Sequence, residues 1–255
     1  MPLLEIRHLT QFFGGLCAVS QFDLTLNGGE LYGIIGPNGA GKTTIFNLLS
    51  GFYKASGGDI VFNGVNTAGL KPHQVTRLGM GRTFQNIRLW PGMSVLDNLR
   101  IAQHYRLQYG LVDAFFRTGR FIRREQAIES FAMEILESLA LSRFADDYPG
   151  NLPYGLQRRV EIARALTLSP RLILLDEPAA GLNSSDIQGL IDLIRSIHEN
   201  FKVTLLLIEH QMKVVMSLCQ RIKVIDFGTT IAEGTPEEIR TNPVVIKAYL
   251  GDETI

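Results

Sequence analysis

The order of apolar and polar positions along the chain predicts a mixed α/β protein. Near the start, short segments alternate apolar and polar residues between glycines and asparagines, a pattern typical of antiparallel strands. Further on, wholly apolar segments alternate with amphipathic helical ones, which predicts parallel strands connected by crossover helices. The predicted antiparallel strands are 3–9, 22–26 and 59–63; the predicted buried strands are 31–36, 172–176 and 203–208; the predicted helices are 43–51, 156–168, 185–199 and 211–219.

The middle of the chain, residues 94–150, has a helical pattern and is rich in arginine. Ser94 and Asp97 have the spacing of a capping box, in which side chains bind exposed backbone amides at the start of a helix. Apolar residues then recur three and four positions apart and form one helical face: Ile128, Phe131, Ile135 and Leu139. We therefore expect a helical subdomain over 94–150, inserted into the α/β core.

The end of the chain predicts a hairpin followed by a helix. The segment "IKVIDFGTTIAEG" has the pattern of two short strands that turn at Asp226–Gly228. "TPEEI" then begins a helix, with Thr235 as the cap, Pro236 in the first position and Glu238 closing a capping box. Residues 235–255 are expected to form a C-terminal helical extension of a single domain spanning 1–255.

Composition and charge exclude several classes of protein. The 255 residues include 25 basic and 25 acidic side chains, so no overall field attracts nucleic acid, and no nucleic-acid partner is expected. Cys17 and Cys219 lack metal-like spacing and are expected to be small buried hydrophobes in a reducing compartment. No signal peptide is expected. Apolar runs such as "VTLLLI" are far shorter than the ~20 residues of a membrane span, so the chain is not expected to cross a bilayer.

A glycine-rich segment introduces the first specific chemistry. "GPNGAGKTT" matches G-x-x-x-x-G-K-[ST] between a predicted strand and a predicted helix. Glycines let the backbone fold around phosphate groups, and amides at the helix start present partial positive charge to them. Lys42 would reach the β and γ phosphates, and the Thr43 hydroxyl would hold Mg²⁺. The segment predicts a P-loop NTPase core in which ATP is bound by Gly36, Pro37, Asn38, Gly39, Ala40, Gly41, Lys42, Thr43 and Thr44.

Two acids at the end of a predicted buried strand suggest how a bound triphosphate is hydrolysed. In "LILLDEP", Asp176 suits a role as a ligand of Mg²⁺ on a strand next to the P-loop strand. Glu177 follows it and suits a general base acting on the attacking water. Acids also cap helices that follow strands, which is the structural alternative. His210 in "LLLIEH" and Gln85 in "RTFQN" are ambiguous when each is considered alone.

Taken in order, these segments resemble the ATP-binding subunits of ABC transporters over nearly the whole chain. The resemblance rests on "GPNGAGKTT", "RTFQN", "LPYGLQRRVEIARAL", "LILLDEPAAGLN" and "LLLIEH". It implies a Mg²⁺-dependent ATPase that drives a transporter. Within the family, the chain most resembles the ATPase subunits of branched-chain amino acid importers, through "FGGLCAV", "RTFQNIRLWPGMSVLDNL", "LPYGLQRR" and the ending "GTPEEIRTNPVVIKAYLG". Extra helical length around 105–125 adds to that similarity.

The resemblance also implies roles for single residues. Phe13 resembles the aromatic residue that stacks on adenine, with Phe12 as its rival; a phenylalanine packed in the core is the alternative. Gln85 resembles the glutamine that contacts Mg²⁺ and the attacking water and senses the membrane partner. His210 resembles the histidine that contacts the γ-phosphate.

The stretch "LPYGL" departs from the pattern of the wider family, which is commonly Leu-Ser-Gly-Gly-Gln. That family stretch completes the ATP site of the other subunit of a dimer, and its counterpart here is Leu152, Pro153, Tyr154, Gly155 and Leu156. Pro153 has neither a hydroxyl nor a backbone donor. Tyr154 is a trait of the importer group, whereas Pro153 and Leu156 are departures. Either the site facing this stretch turns over slowly, or Gly155 and the start of the following helix suffice.

The implied partners are a second ATP-binding subunit, of the same or a different chain, transmembrane permease subunits and, indirectly, a solute-binding protein. The implied location is peripheral, on the cytoplasmic face of the inner (plasma) membrane. Leu89, Trp90 and Met93 would contact a transmembrane subunit, or be buried in the helical subdomain. The arginines between 117 and 124 form either a solvated helical face or a contact with anionic lipid headgroups.

Three other functions fit parts of the pattern. The nearest is the ATPase of a lipopolysaccharide exporter, which has a similar length and ending. A second is a member of the superfamily that acts on ribosomes or DNA, although the expected tandem domains or coiled-coil arms are missing from the sequence. The third is a non-hydrolysing nucleotide-dependent scaffold, against which the presence of Lys42, Asp176, Glu177 and His210 argues.

Overall fold

The computed structural model describes residues 1–106 and 110–250 and divides the chain into two compact units. Unit 1 comprises Met1–Gln85 and the chain from Arg171 onwards, and unit 2 comprises Asn86–Pro170. The strands are β1 Leu4–Phe13, β2 Leu16–Leu26, β3 Leu31–Ile35, β4 Gly57–Phe62, β5 Val65–Asn66, β6 Met80–Arg82, β7 Leu172–Asp176, β8 Thr204–Ile208, β9 Arg221–Asp226 and β10 Thr229–Gly234. The α-helices are α1 Lys42–Leu49, α2 Pro72–Arg77, α3 Val95–Ala102, α4 Leu111–Phe115, α5 Gly119–Ser138, α6 Tyr154–Leu166, α7 Ser184–Phe201, α8 Met212–Leu218, α9 Pro236–Thr241 and α10 Pro243–Leu250.

The antiparallel sheet of unit 1 has the strand order β2-β1-β4-β5. Its first two strands are much longer than the sequence predicts. The pairing of β1 with β2 shifts register between Ile6 and Leu9 and again between Leu9 and Gln11. Such bulges break the two-residue period that marks a strand in a sequence, so the prediction stops early at residue 9.

The second sheet of unit 1 has the order β10-β9-β3-β8-β7-β6. The pairs from β9 to β6 are parallel, and β10 joins β9 as the predicted hairpin. Each residue of β3, β7 and β8 is buried, which explains their continuous apolar sequence. The α/β fold class with mainly parallel strands is therefore confirmed. The carboxyl ends of β3, β8, β7 and β6 lie side by side, where ligands bind in open α/β sheets.

Unit 2 is helical and larger than the predicted segment, since α6 also belongs to it. The predicted apolar face of α5 is present, with Ile135 and Leu139 buried and Ile128 and Phe131 half-buried. At the start of α3, the Ser94 hydroxyl accepts a hydrogen bond from the backbone amide of Asp97 at 3.1 Å. The extra length predicted around 105–125 includes residues 107–109, which lie outside the described residues.

The surface of unit 2 does not decide between the roles predicted for two groups of its residues, the apolar side chains at 89–93 and the arginines between 117 and 124. Trp90 is exposed, while Leu89 and Met93 are half-buried. The four arginines of the predicted cluster are all exposed: Arg117, Arg120, Arg123 and Arg124. Over the described residues, none of the helices combines the length and the apolarity that crossing a membrane requires.

The predicted C-terminal extension comprises two helices of unit 1 in the described part of the chain. A capping box starts α9: the Thr235 amide donates to Glu238 Oε2 at 2.7 Å, and the Glu238 amide donates to Thr235 Oγ1 at 3.4 Å. Residues 251–255 of the predicted extension lie outside the described residues.

Candidate nucleotide-binding and hydrolysis site

The segment between β3 and α1 forms a tight loop that packs closely against neighbouring backbone. Two of its glycines cannot carry a side chain. A Cβ on Gly36 would lie 2.0 Å from the carbonyl oxygen of Ile225, and one on Gly41 would lie 2.4 Å from that of Ala18. Gly41 also has a left-handed φ of 101° and is the residue from which α1 starts. The loop therefore places the first amides of α1 at the end of the central strand, as an anion-binding site requires.

Lys42 lies inside this loop rather than in solvent. Its buried Nζ donates to the carbonyl oxygens of Gly36 at 2.7 Å and Pro37 at 2.8 Å. Burial lowers the pKa of Lys42, because desolvation disfavours the ammonium form. Three carboxylates oppose that pKa shift: Glu177, Asp176 and Glu209. The ammonium group thus lies near the acids at the ends of β7 and β8. The prediction that the strand of Asp176 is next to the P-loop strand is wrong, because β8 lies between β3 and β7.

A cavity of about 570 Å³ opens beside the loop, entirely within unit 1. Most of the predicted ATP-binding residues line it, together with two of the predicted catalytic residues. The lining residues are Phe13, Leu16, Cys17, Ala18, Asn38, Gly39, Ala40, Gly41, Lys42, Thr43, Thr44, Gln85, Glu177 and Phe227. Gly36 and Pro37 contribute through the carbonyls that hold Lys42.

Of the two candidate aromatic residues, Phe13 is the one that lines the cavity. Its ring meets the ring of Tyr53 edge-on, with centroids 5.4 Å apart and an interplanar angle of 76°. Phe12 is its neighbour in β1, and successive side chains of a strand point to opposite faces. An aromatic surface at the cavity wall suits a planar base.

Four lining residues were not anticipated from the sequence: Leu16, Cys17, Ala18 and Phe227. Cys17 was expected to be buried, as Cys219 is, but it is half-buried on the cavity wall at the start of β2. Phe227 is 86% exposed at the β9–β10 turn, next to Gly228, whose amide donates to the carbonyl of Ala40 at 3.0 Å. The turn itself is predicted by the sequence, but its position against the phosphate loop depends on sheet order.

Glu177 meets two of its predicted catalytic partners directly. Gln85 Nε2 donates to Glu177 Oε2 at 2.8 Å, and His210 Nδ1 lies 3.6 Å from the same oxygen. The backbone of Glu177 has a φ of 45°, and its amide donates to the Ile208 carbonyl at 2.9 Å. A left-handed backbone costs about 1–3 kcal/mol for such a residue and often marks a functional site. The three side chains come from three separate strand ends.

Asp176 is buried next to Glu177 and has an ionic partner that the sequence analysis missed. Arg82 Nη2 lies 2.8 Å from Asp176 Oδ2, with side-chain exposures of 7% and 4%. The sequence signal for Arg82 was a charged residue directly before "TFQN". The strand β6 has only three residues, which is too short to show the alternation of a strand and so to indicate where Arg82 points.

The donors near the loop fit Mg²⁺ better than a transition metal. Thr43, Asp176 and Gln85 offer hard oxygen ligands, and the described residues contain no group of three or more His, Cys, Asp or Glu side chains that could hold a metal. Magnesium usually takes few protein ligands and completes its shell with phosphates and water. The donor set thus fits a metal that enters with a nucleotide.

The buried carboxylate of Glu209 holds the backbone of the loop that carries His210. The Glu209 carboxylate oxygens accept from the backbone amides of Ala179 at 2.8 Å, His210 at 3.0 Å and Gln211 at 3.1 Å. Gln211 Nε2 in turn donates to the Ala179 carbonyl at 3.2 Å. Burial raises the pKa of Glu209, and the three amides oppose that rise. This network ties the loop after β8 to the loop after β7.

The stretch Leu152–Leu156 lies in unit 2, at the start of α6. Leu152 is buried, Pro153 and Tyr154 are exposed, and Gly155 and Leu156 are half-buried. The Pro153 carbonyl accepts from the Leu156 amide at 2.9 Å. The start of α6 lacks a side-chain cap, since proline occupies the capping position.

Comparison with families and relatives agrees with the geometry. The family model described as "ABC transporter" matches residues 19–180, and that described as "Branched-chain amino acid ATP-binding cassette transporter" matches residues 229–254. The chain is 47% identical to the "High-affinity branched-chain amino acid transport ATP-binding protein BraF" of Pseudomonas aeruginosa, over 98% of each chain. It is equally similar, 47% over 98% of each chain, to the LivG protein of that description from Salmonella typhimurium.

Solved structures give the same result. The ADP conformation of MJ1267, an ATP-binding cassette of an ABC transporter, matches with a TM-score of 0.85 at 30% identity, over 99% of this chain and 100% of that one. A dimeric post-hydrolysis state of the ATP-binding cassette MJ0796, bound to ADP and Pi, matches with a TM-score of 0.75 at 25% identity, over 91% and 98% of the two chains.

Proposed function

The chain belongs to the family of ABC transporter ATP-binding proteins, and from that premise we propose that it hydrolyses ATP to power the import of branched-chain amino acids through a separate permease. The observation that carries the ATPase activity is the meeting of Lys42, Gln85 and Glu177 around one cavity. The direction of transport and the class of substrate are supported by the similarity to BraF and LivG over 98% of the chain.

ATP binding uses the loop geometry described above. The triphosphate accepts hydrogen bonds from the amides at the start of α1, and the Lys42 ammonium exchanges the carbonyls of Gly36 and Pro37 for phosphate oxygens. Phe13 stacks on the adenine. Mg²⁺, held by Thr43, Gln85 and Asp176, would neutralise charge on the phosphates.

Hydrolysis depends on Glu177 and its partners. Its carboxylate takes a proton from the attacking water as general base, while Gln85 orients that water and the base together. His210 contacts the γ-phosphate from the end of β8. Glu209 and Gln211 hold the loop of His210 in place by hydrogen bonds to Ala179.

Two copies of this architecture complete the ATP sites in our proposal, as the dimeric form of MJ0796 supports. The stretch Leu152–Leu156 faces the γ-phosphate bound by the other subunit, which is of the same or a different chain. Pro153 supplies that phosphate with no hydrogen-bond donor. One missing charge-assisted hydrogen bond is worth about 1.5–3 kcal/mol, or about ten- to a hundredfold in rate if it acts only in the transition state. In a dimer with a different ATPase chain, we propose that the site facing this stretch is the slower of the two.

Replacing Pro153 with Ser tests this asymmetry. We expect P153S to raise turnover at the site it faces about tenfold, because the serine restores a hydroxyl and a backbone donor. Since the other site already turns over at the faster rate, phosphate release by the whole pair should rise about twofold. The assay is phosphate release by the assembled ATPase pair at saturating Mg-ATP. Pro243→Ser, at the exposed start of α10, is the matched control and should leave turnover unchanged. Equal turnover of P153S and wild type would show that Gly155 and the start of α6 suffice.

The membrane permease and the solute-binding protein are the remaining proposed partners. The subunit would act as a peripheral protein on the cytoplasmic face of the inner (plasma) membrane, attached through permease subunits. Purification of the tagged chain from membranes should yield a permease and an ATPase partner, and the reconstituted assembly should take up leucine only with ATP. Recovery of lipopolysaccharide-export components, or ATP-independent uptake, would contradict the proposal.

A further inference from the structure

Arg82 occupies a closed socket between the phosphate-loop helix and the strand that carries Asp176. Its Nη2 donates to Asp176 Oδ2 at 2.8 Å. Its Nη1 donates to Asn47 Oδ1 at 2.9 Å and to Ser50 Oγ at 3.1 Å. The guanidinium therefore joins β6 to α1 and to the end of β7, three elements that meet at the candidate site.

The walls of the socket are aromatic and fix the guanidinium in place. The Arg82 guanidinium carbon lies 4.9 Å from the ring centroid of Phe84 and 5.7 Å from those of Phe46 and Phe52. Rings at these distances attract the cation and exclude water, which strengthens its bond to the carboxylate.

Arginine is the residue type that this position requires. Only a planar fork can bind a carboxylate on one side and two neutral acceptors on the other without changing its rotamer. One of the two neutral acceptors is itself held, since Ser50 Oγ donates to the Phe46 carbonyl at 2.6 Å. The carboxylate of Asp176 is thus oriented by a rigid partner.

We propose that Arg82 is the positioning residue for the metal-ligating carboxylate: by holding Oδ2 of Asp176 it directs the other carboxylate oxygen to Mg²⁺, and it couples that ligand to α1, which carries Thr43. The inference rests on the proposed function, in which Asp176 is a ligand of Mg²⁺. Partners that orient a metal ligand usually contribute about 10–100-fold to metal affinity. Three residues after Arg82 comes Gln85, so the same strand end supports two of the three proposed protein ligands, Asp176 and Gln85.

The test measures metal binding rather than turnover. Purified Arg82→Met, Arg82→Lys and wild-type chains are titrated with Mn²⁺ in the presence of ADP, and free Mn²⁺ is followed by electron paramagnetic resonance. We expect Mn²⁺ to bind about 10–100-fold more weakly to R82M. R82K should be intermediate, because it keeps the charge but loses the fork. ADP affinity without metal should stay at the wild-type value in both variants.

Arg221→Met is the matched control, because Arg221 pairs with Glu233 at 2.6 Å elsewhere in unit 1 and should not affect Mn²⁺ binding when removed. Wild-type Mn²⁺ affinity in R82M would overturn the proposal. A parallel loss of metal-free ADP affinity in R82M and R82K would also overturn it, because that result would mean that the Arg82–Asp176 ion pair supports the fold of the site and does not act specifically on the metal ligand. If R82M does not fold, R82K decides alone. These binding results are independent of whether the wild-type chain hydrolyses ATP or drives import.

Discussion

Replacing Glu177 with Gln is expected to lower ATP hydrolysis by about three orders of magnitude while Mg-ATP binding stays intact. A general base contributes about 10²–10⁴-fold, and an amide cannot take the proton of the attacking water. Binding is expected to be retained because the carboxylate of Glu177 accepts from Gln85 and lies beside His210, and the loop amides proposed to bind the phosphates are unchanged. The amide oxygen of the variant can still accept the hydrogen bond of Gln85. Phosphate release and nucleotide affinity are the two measurements.

The same variant tests the proposed dimer. Because the triphosphate survives, copies joined by ATP should accumulate, and light scattering should report a nucleotide-dependent doubling of mass. Glu199→Gln, an exposed position on α7, is the control and should hydrolyse ATP at the wild-type rate. Full turnover in E177Q would remove Glu177 from the mechanism and with it the ATPase assignment of the site.

Replacing Lys42 with Ala should have the second-largest effect, on nucleotide affinity. Charge-assisted hydrogen bonds to phosphate are worth about 1.5–3 kcal/mol each, so the loss of the Lys42 contacts with the β and γ phosphates should weaken ATP binding by about 10²–10⁴-fold. The variant also loses the two hydrogen bonds that hold the Gly36 and Pro37 carbonyls in the free protein. A modest loss of thermal stability without nucleotide should therefore accompany the loss of affinity.

Isothermal titration of K42A with Mg-ATP and with Mg-ADP separates the affinity lost at the γ-phosphate from the affinity lost at the β-phosphate. The larger loss should be seen for ATP, because ADP lacks the γ-phosphate. Lys71→Ala removes an exposed lysine at the start of α2 and should bind both nucleotides normally. Unchanged ATP affinity in K42A would mean that the cavity beside the loop is not the nucleotide site.

The contiguous parts of the candidate site could be predicted because their chemistry is local. In our proposal the loop binds phosphate through successive backbone amides and one following lysine, so nine neighbouring residues contain nearly the whole site. The buried strands β3, β7 and β8 were similarly clear, since both faces of each are covered and their sequences are apolar throughout. The two acids after β7 stand out because charge follows directly on such a strand.

Long-range parts of the site had no signal of comparable strength. Arg82 lies in a three-residue strand, and its partner Asp176 is 94 positions away along the chain. Phe227 reaches the cavity because the β9–β10 turn packs beside Ala40, and Cys17 because β2 pairs with β1 across a bulged register. None of these neighbours follows from spacing in the sequence.

The amino-acid sequence alone determined the α/β class, the phosphate loop and the identity of the acids, since each is encoded by a short stretch whose backbone geometry depends on its own residues. Only the tertiary structure decided which side chains meet those acids: Gln85 and His210 at Glu177, and Arg82 at Asp176. The physical reason is that the strand order β3-β8-β7-β6 brings distant strand ends to one edge, and strand order depends on the packing of the whole core.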